Sequence, residues 1–330
     1  MKEILQKLFA HKKLSREEAR EILVNISNNQ YNEAQIASFI TVYLMRSISV
    51  EELQGFRDAL LEMCVSVDLE GRETIDIVGT GGDGKNTFNI STLSSVVVAG
   101  AGYQVSKHGN YGVSSSCGSS NVLEYLGYKF TNDTDALRRQ LDQADICFFH
   151  APFFHPAMKT VAPIRRQLGV KTFFNMMGPL VNPAQPKYQM LGVYSLELGR
   201  LYQYIYQQHT DKEVSIIYAM DGYDEISLTG PVKLRTRHSE KVLTPEDLGQ
   251  STLHPSVLYG GETVAEAAKI FTDVLEGKGT PEQESVVLAN AGVAISCLRP
   301  DLSIEACVDQ ARESLQSKRA LQKLKILVSN

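Results

Sequence analysis

The chain has 330 residues, 43% of them hydrophobic, enough for two domains or one large domain with an appendage. Its formal net charge of -5 at pH 7 disfavours a nucleic-acid partner held by bulk electrostatics. No apolar run approaches the ~20 residues that span a bilayer. The start Met1-Lys2-Glu3-Ile4-Leu5 lacks the apolar core of a secretory signal, and five cysteines without C-x-x-C spacing point to a reducing compartment. A cytoplasmic protein without a disulfide framework or structural zinc site is expected.

The first 70 residues read as purely helical. Ser15-Arg16-Glu17-Glu18 is a capping box ahead of Ile22, Leu23 and Ile26 at helical spacing. Asn32 to Gln35 repeats the device before Ile36, Phe39, Ile40 and Tyr43, and Ser49-Val50-Glu51-Glu52 does so before Leu53, Phe56 and Leu60. Apolar faces this regular must pack on the next domain or on another subunit.

From Thr74 short β-branched runs alternate with helical patterns. The runs are Ile75–Val78, Val96–Ala101, Tyr103–Ser106, Ile146–Phe149, Met190–Tyr194 and Val214–Met220. Leu93 to Ala101, which overlaps the second run, also reads as helix. The alternation predicts an α/β fold with a mostly parallel sheet covered by helices. Thr280-Pro281 opens a helix to about Cys297, whereas 317–327 reads as helix or strand.

The stretch from Gly79 to Thr92 carries the most chemistry. A strand, a glycine-rich turn and a helix start aim backbone N–H groups at an anion. Gly79-x-Gly81-x-x-Gly84 matches a dinucleotide fingerprint, but no carboxylate follows about 20 positions on to hold a ribose. Gly79-x4-Gly84-Lys85 approaches a P-loop, but Asn86 stands where a magnesium-binding hydroxyl belongs. A glycine turn without a ligand is the plain alternative. The polar side chains of Asp83, Thr87, Asn89, Ser91 and Thr92 crowded around it speak against that.

Three further stretches follow predicted strands. The loop Lys107 to Asn121, rich in glycine and serine, would wrap a polyanion from a second side, or be a long surface turn. Asp224 and Glu225 after Val214–Met220 serve one site only if the strand has ended in a turn, which Gly222 permits. There they would suit magnesium, the alternative being a solvated acidic turn. The stretch His150 to Met158, with Arg165 one helix later, would wall a flat apolar substrate and hold a carboxylate. His155 alone is equally a satisfied core histidine.

Together these stretches resemble the anthranilate phosphoribosyltransferase family of the tryptophan pathway. G-T-G-G-D-G at 79–84, N-I-S-T at 89–92, K-H-G-N at 107–110 and the S-S…G-S run at 114–119 stand in family order. So do H-P-A-M-K at 155–159, P-I-R-R-Q-L-G at 163–169, F-N-M-M-G-P-L-V-N-P at 174–183 and the D-E pair at 224–225. The resemblance implies a nucleoside phosphorylase/phosphoribosyltransferase-like fold. A small helical domain over 1–70, joined by helices near 160–185, is hinged to a larger α/β domain over 71–330. It also implies a homodimer through the helical domain.

Carried over by motif, phosphoribosyl pyrophosphate would be held by Gly79, Gly82, Asp83, Thr87, Asn89, Ile90, Ser91 and Thr92. The second loop would add Lys107, His108, Gly109, Asn110, Tyr111, Gly112, Val113, Ser114, Ser115 and Ser119. Two magnesium ions are implied, one on Ser91 and Glu225 and one on Asp224 and Glu225. Anthranilate would meet Gly79, Asn110, His155 and Arg165, with His108, Asn110 and Arg165 closest to the chemistry. The family usually has arginine after K-H-G-N; here it is Tyr111. The missing charge leaves more to Lys107 and backbone amides and points to weaker affinity for the donor. The expected reaction joins the phosphoribosyl group to the anthranilate amine and releases pyrophosphate. A pyrimidine nucleoside phosphorylase of related fold is the alternative, as is a catalytically dead relative that binds nucleic acid.

Overall fold

The computed structural model describes residues 1–112 and 116–329 and divides the chain into two units. One unit joins Met1–Val67 to Ala151–Pro183, and the other joins Asp68–His150 to Ala184–Asn330.

The first unit is helical. Its leading helices are Lys2–Phe9, Arg16–Ser27, Glu33–Met45 and Val50–Glu62. The three expected capping boxes form with both reciprocal hydrogen bonds, at Ser15 with Glu18, Asn32 with Gln35 and Ser49 with Glu52. The inward faces converge on an aromatic cluster that needs the later segment. Phe173 stacks on Phe56 at 4.6 Å between ring centroids, and Phe39 and Tyr43 pack edge-on against both.

Glu52 does more than cap its helix. Its fully buried carboxylate accepts hydrogen bonds from the Leu14 and Ser49 amides, the Tyr43 hydroxyl and both terminal nitrogens of Arg46. Burial alone raises the Glu52 pKa, but the Arg46 and backbone hydrogen bonds outweigh it and hold the carboxyl below its ordinary value.

The second unit is built on a seven-stranded sheet. Its strands are β1 (Ile75–Gly79), β2 (Val105–Gly109), β3 (Ile146–His150), β4 (Tyr188–Gly192), β5 (Glu213–Ala219), β6 (Val232–Arg235) and β7 (Glu240–Leu243). Their order is β3-β2-β1-β4-β5-β6-β7; the first five are parallel, and β6 and β7 are antiparallel to their neighbours. The strand order reverses between β1 and β4, so the carboxyl ends of those strands open a crevice. The loop after β1 and the one after β2 leave adjacent strands, as a two-sided cradle requires.

One expected strand is a helix. Val96–Ala101 is not a strand; it closes the helix Ile90–Gly100, with Ala101 as the C-cap. That helix is buried on nearly every side, packed against the helices Pro281–Leu298 and Arg319–Ser329, so its apolar run carries no helical periodicity. The hairpin of β6 and β7 leaves no clear sequence signal, because each strand is only four residues long and carries charged side chains. The ambiguous tail is helical over Arg319–Ser329.

Candidate active site

The site begins with two glycines. Gly79 and Gly192 pair across β1 and β4 at the reversal point. A methyl group on Gly79 would overlap the Asp224 carboxylate, and one on Gly192 would overlap the Asp224 backbone carbonyl. Asp224 therefore sits in space that only glycine leaves open. It reaches this place because β5 ends at Ala219 and the chain turns through Gly222 at φ 93°. The turn frees Asp224 and Glu225 from the alternation of a strand.

Both carboxylates then meet the first loop. Asp224 Oδ2 accepts the Gly81 amide at 2.6 Å. Glu225 Oε1 accepts the Ser91 amide at 3.1 Å, and its Oε2 accepts the Thr87 hydroxyl at 3.2 Å. Ser91 is in the first turn of the helix Ile90–Gly100, so Glu225 lies at a helix N-terminus that favours negative charge. Burial, then the charge of Asp83, pushes the Asp224 pKa up; the Gly81 amide offsets only part. Burial, then the charges of Asp224 and Asp83, raises that of Glu225.

This donor set fits magnesium. Among the described residues no group of three His, Cys, Asp or Glu side chains forms a ready-made cage for a metal. Magnesium needs none, since it keeps several waters and takes one or two carboxylates besides substrate phosphates. A buried and a half-buried carboxylate held at raised pKa, beside the hydroxyl-bearing Ser91 and Thr87, are what a divalent cation would relieve.

The rest of the first loop is turned by Gly81, Gly82 and Gly84, all at positive φ. Asp83 Oδ1 accepts the Lys85 amide at 3.0 Å, and Asn89 Nδ2 donates to the Cys117 carbonyl at 3.1 Å. Ile90 and Thr92 are buried in the first turn of the helix.

Lys107, His108 and Gly109 belong to β2 rather than to the loop after it. The Lys107 ammonium is buried and donates to the Ile77 carbonyl at 2.6 Å. Burial lowers its pKa, and the charges of Asp76 and Glu225 oppose that shift. The His108 backbone donates to Asp76 Oδ1 at 3.1 Å, and its side chain is buried. Asn110 is exposed; its Oδ1 accepts the Tyr111 amide and its carbonyl accepts the Ser120 amide and the Ser119 hydroxyl. Tyr111 turns to Glu124, donating its hydroxyl at 3.2 Å, and sets its ring edge-on to His150 at 4.8 Å. Gly112 and Gly118 both donate their amides to Asn121 Oδ1, at 2.9 and 3.0 Å. Val113, Ser114 and Ser115 lie outside the described residues.

His155 and Arg165 belong to the helical unit. His155 is buried, and burial pushes its pKa down to about 4, so it is neutral at pH 7. Arg165, on the helix Met158–Leu168, donates to Asn175 Oδ1 at 3.3 Å and lies 5.4 Å from the Phe174 ring centroid. Burial lowers its pKa as well. One partner of the first loop gave no signal in the sequence: Thr87 forms an antiparallel bridge with Tyr259.

Comparison with known proteins agrees with this architecture. Residues 2–64 match the helical bundle domain of a glycosyl transferase family, and residues 71–321 match that family's a/b domain. The chain is 58% identical over 322 residues to an anthranilate phosphoribosyltransferase of Cytophaga hutchinsonii, covering 98% of each. The crystal structure of the Thermus thermophilus anthranilate phosphoribosyltransferase matches with a TM-score of 0.91 and 31% identity, covering 98% of each chain. The Saccharomyces cerevisiae enzyme in complex with PRPP and Mg matches at 0.91 and 28%, over 98% of this chain and 96% of that one.

Proposed function

The chain belongs to the anthranilate phosphoribosyltransferase family, and we infer that it transfers the phosphoribosyl group of phosphoribosyl pyrophosphate to the amine of anthranilate. The C1–O bond to pyrophosphate breaks, a C1–N bond forms, and the new nitrogen sheds a proton. The observation that carries this reading is the meeting of Asp224 and Glu225 with the glycine loop at the reversal point of the sheet. An acidic pair set against the glycine loop suits a magnesium-complexed pyrophosphate.

Gly79, Gly82, Asp83, Thr87, Asn89, Ile90, Ser91 and Thr92 would hold the donor, together with the second loop from Lys107 to Ser115 and Ser119. Ser91 and Glu225 would bind one magnesium ion, and Asp224 with Glu225 a second. Bound there, magnesium would supply positive charge to the departing pyrophosphate. The loop amides add to that stabilisation. Since the aromatic amine is already neutral at pH 7, the protein's task is to place it rather than to deprotonate it. Gly79, Asn110, His155 and Arg165 would contact anthranilate. The guanidinium supplies the natural partner for a carboxylate, while His108 and Asn110 would lie beside the reacting centre.

A homodimer through the helical unit is part of the same reading, supported by the exposure of Phe9, Leu44 and Met45 on its helices. A cytoplasmic location fits the free cysteines, and no described helix is long and apolar enough to cross a membrane. The deciding assay follows the loss of anthranilate fluorescence. Loss that requires both phosphoribosyl pyrophosphate and magnesium supports the reading. Phosphate-dependent release of uracil or thymine from nucleosides, without that loss, overturns it.

A further inference from the structure

We propose that Asn86 is a positioning residue for the donor pocket, joining the first loop to the second through Ser116 and to the distant segment 258–261 through Gly261. The proposal rests on the donor-binding reading of those two loops.

The side-chain amide of Asn86 uses both its ends. Its Nδ2 donates to the Gly261 carbonyl at 2.8 Å, and its Oδ1 accepts the Ser116 hydroxyl at 3.1 Å. The orientation follows from the partners: a carbonyl can only accept, so the nitrogen must face Gly261. Ser116 Oγ also lies 3.0 Å from the Gly261 carbonyl, which closes a triangle among three segments far apart in the sequence.

The backbone repeats the connection. Gly260 donates its amide to the Asn86 carbonyl at 2.8 Å, Phe88 donates to Leu258 at 2.9 Å, and Thr87 bridges Tyr259 between them. This short ribbon is possible only because residue 260 is glycine. A Cβ there would come within 2.5 Å of the Thr87 carbonyl oxygen and 2.8 Å of the Phe88 nitrogen. Thr87 in turn donates to Glu225. The ribbon and the Asn86 side chain therefore fix the first loop against the carboxylate pair on one side and the second loop on the other. A pocket whose walls are already tied loses less entropy when a flexible, highly charged donor enters.

Neither Asn86 nor Ser116 is among the residues assigned to the ligands, so their effect should fall on donor affinity alone. The experiment measures binding of magnesium–phosphoribosyl pyrophosphate by calorimetry, with steady-state kinetics, for wild type, Asn86→Ala, Ser116→Ala and the double variant. Asn86→Ala should weaken donor binding and raise its KM about tenfold, the scale of one or two hydrogen bonds. The KM for anthranilate and kcat at saturating donor should stay within about threefold of wild type. The double variant should cost less than the product of the two single effects, because both substitutions break the shared Asn86–Ser116 bond. Ser116 is exposed, so Ser116→Ala carries the test if Asn86→Ala does not fold. Wild-type donor affinity in the variants overturns the proposal, as do multiplicative effects in the double variant or equal rises in both KM values. Wild-type protein that fails to bind the donor overturns the functional reading beneath it.

Discussion

The Asp224 carboxylate occupies the space where a side chain on Gly79 would begin, and its backbone carbonyl occupies the corresponding space above Gly192. The two clashes differ in kind. Against Gly79 the obstacle is the end of a side chain, which can rotate away; against Gly192 it is main chain. Gly79→Ala should therefore fold and melt near wild type while losing about 10- to 100-fold in magnesium affinity and turnover, as displaced metal ligands do. Gly192→Ala should lower stability by more than about 4 kcal/mol and express poorly. Thermal melts paired with magnesium-dependent kinetics separate the two. Equal behaviour would remove Asp224 from its place over the glycines.

Asp224→Asn with Glu225→Gln should abolish turnover at any magnesium concentration. In metal-free protein near neutral pH the same double variant should melt higher than wild type. The substitutions keep an acceptor oxygen for the Gly81 and Ser91 amides, leave the Thr87 hydroxyl to accept from the new amide nitrogen, and remove charge that burial and Asp83 penalise. Magnesium with pyrophosphate should raise the wild-type melting temperature and leave the variant unmoved. Normal turnover in the double variant would sink the metal assignment.

Arg165→Ala should raise the KM for anthranilate about 10- to 100-fold, the weight of a charge-assisted hydrogen bond to a carboxylate. The KM for the phosphoribosyl donor should change far less. A comparable rise in both would take Arg165 out of the acceptor site.

Acid should loosen the protein through His155. Its folded pKa, pushed down to about 4 by burial, lies below the ordinary histidine value of ~6.5. Above ~6.5 both states leave the ring neutral; below it the unfolded chain takes up a proton that the folded one refuses. The contribution is thus present at pH 7 and lost as the pH falls from ~6.5 towards 4, about 2 kcal/mol of it by pH 5. Urea melts at pH 7 and pH 5, followed by circular dichroism, measure this, and His155→Gln should flatten the difference. An unchanged pH response in that variant would assign the acid sensitivity elsewhere.

Local chemistry made much of this molecule legible in its sequence. A capping box is written in four consecutive residues, and a glycine loop between a strand and a helix declares its anion preference on its own. Asp224 and Glu225 could be read as a pair because Gly222 marked a turn. The β-branched run in 96–101 misled because a helix buried on all sides has no polar face to set a period. Long-range connections left no trace: the Asn86 link to Gly261 spans 175 positions. The burial of Glu52 under Arg46 could not be told from an ordinary cap. Tyr111 was legible as a missing charge, but its attachment to Glu124 and His150 depends on a strand and a helix meeting in space.

The helical unit is made from two separated pieces of chain, and that fixes an order in time. When residues 1–67 leave the ribosome, Phe39, Tyr43 and Phe56 still lack Phe173, the ring on which they close. At ~5–20 residues per second, roughly ten seconds pass before that ring is made. During that interval β1, β2 and β3 are already being synthesised. The newborn N-terminal helices must wait with an unfinished apolar face while the first half of the sheet emerges. Their aromatic cluster closes only when Phe173 is made.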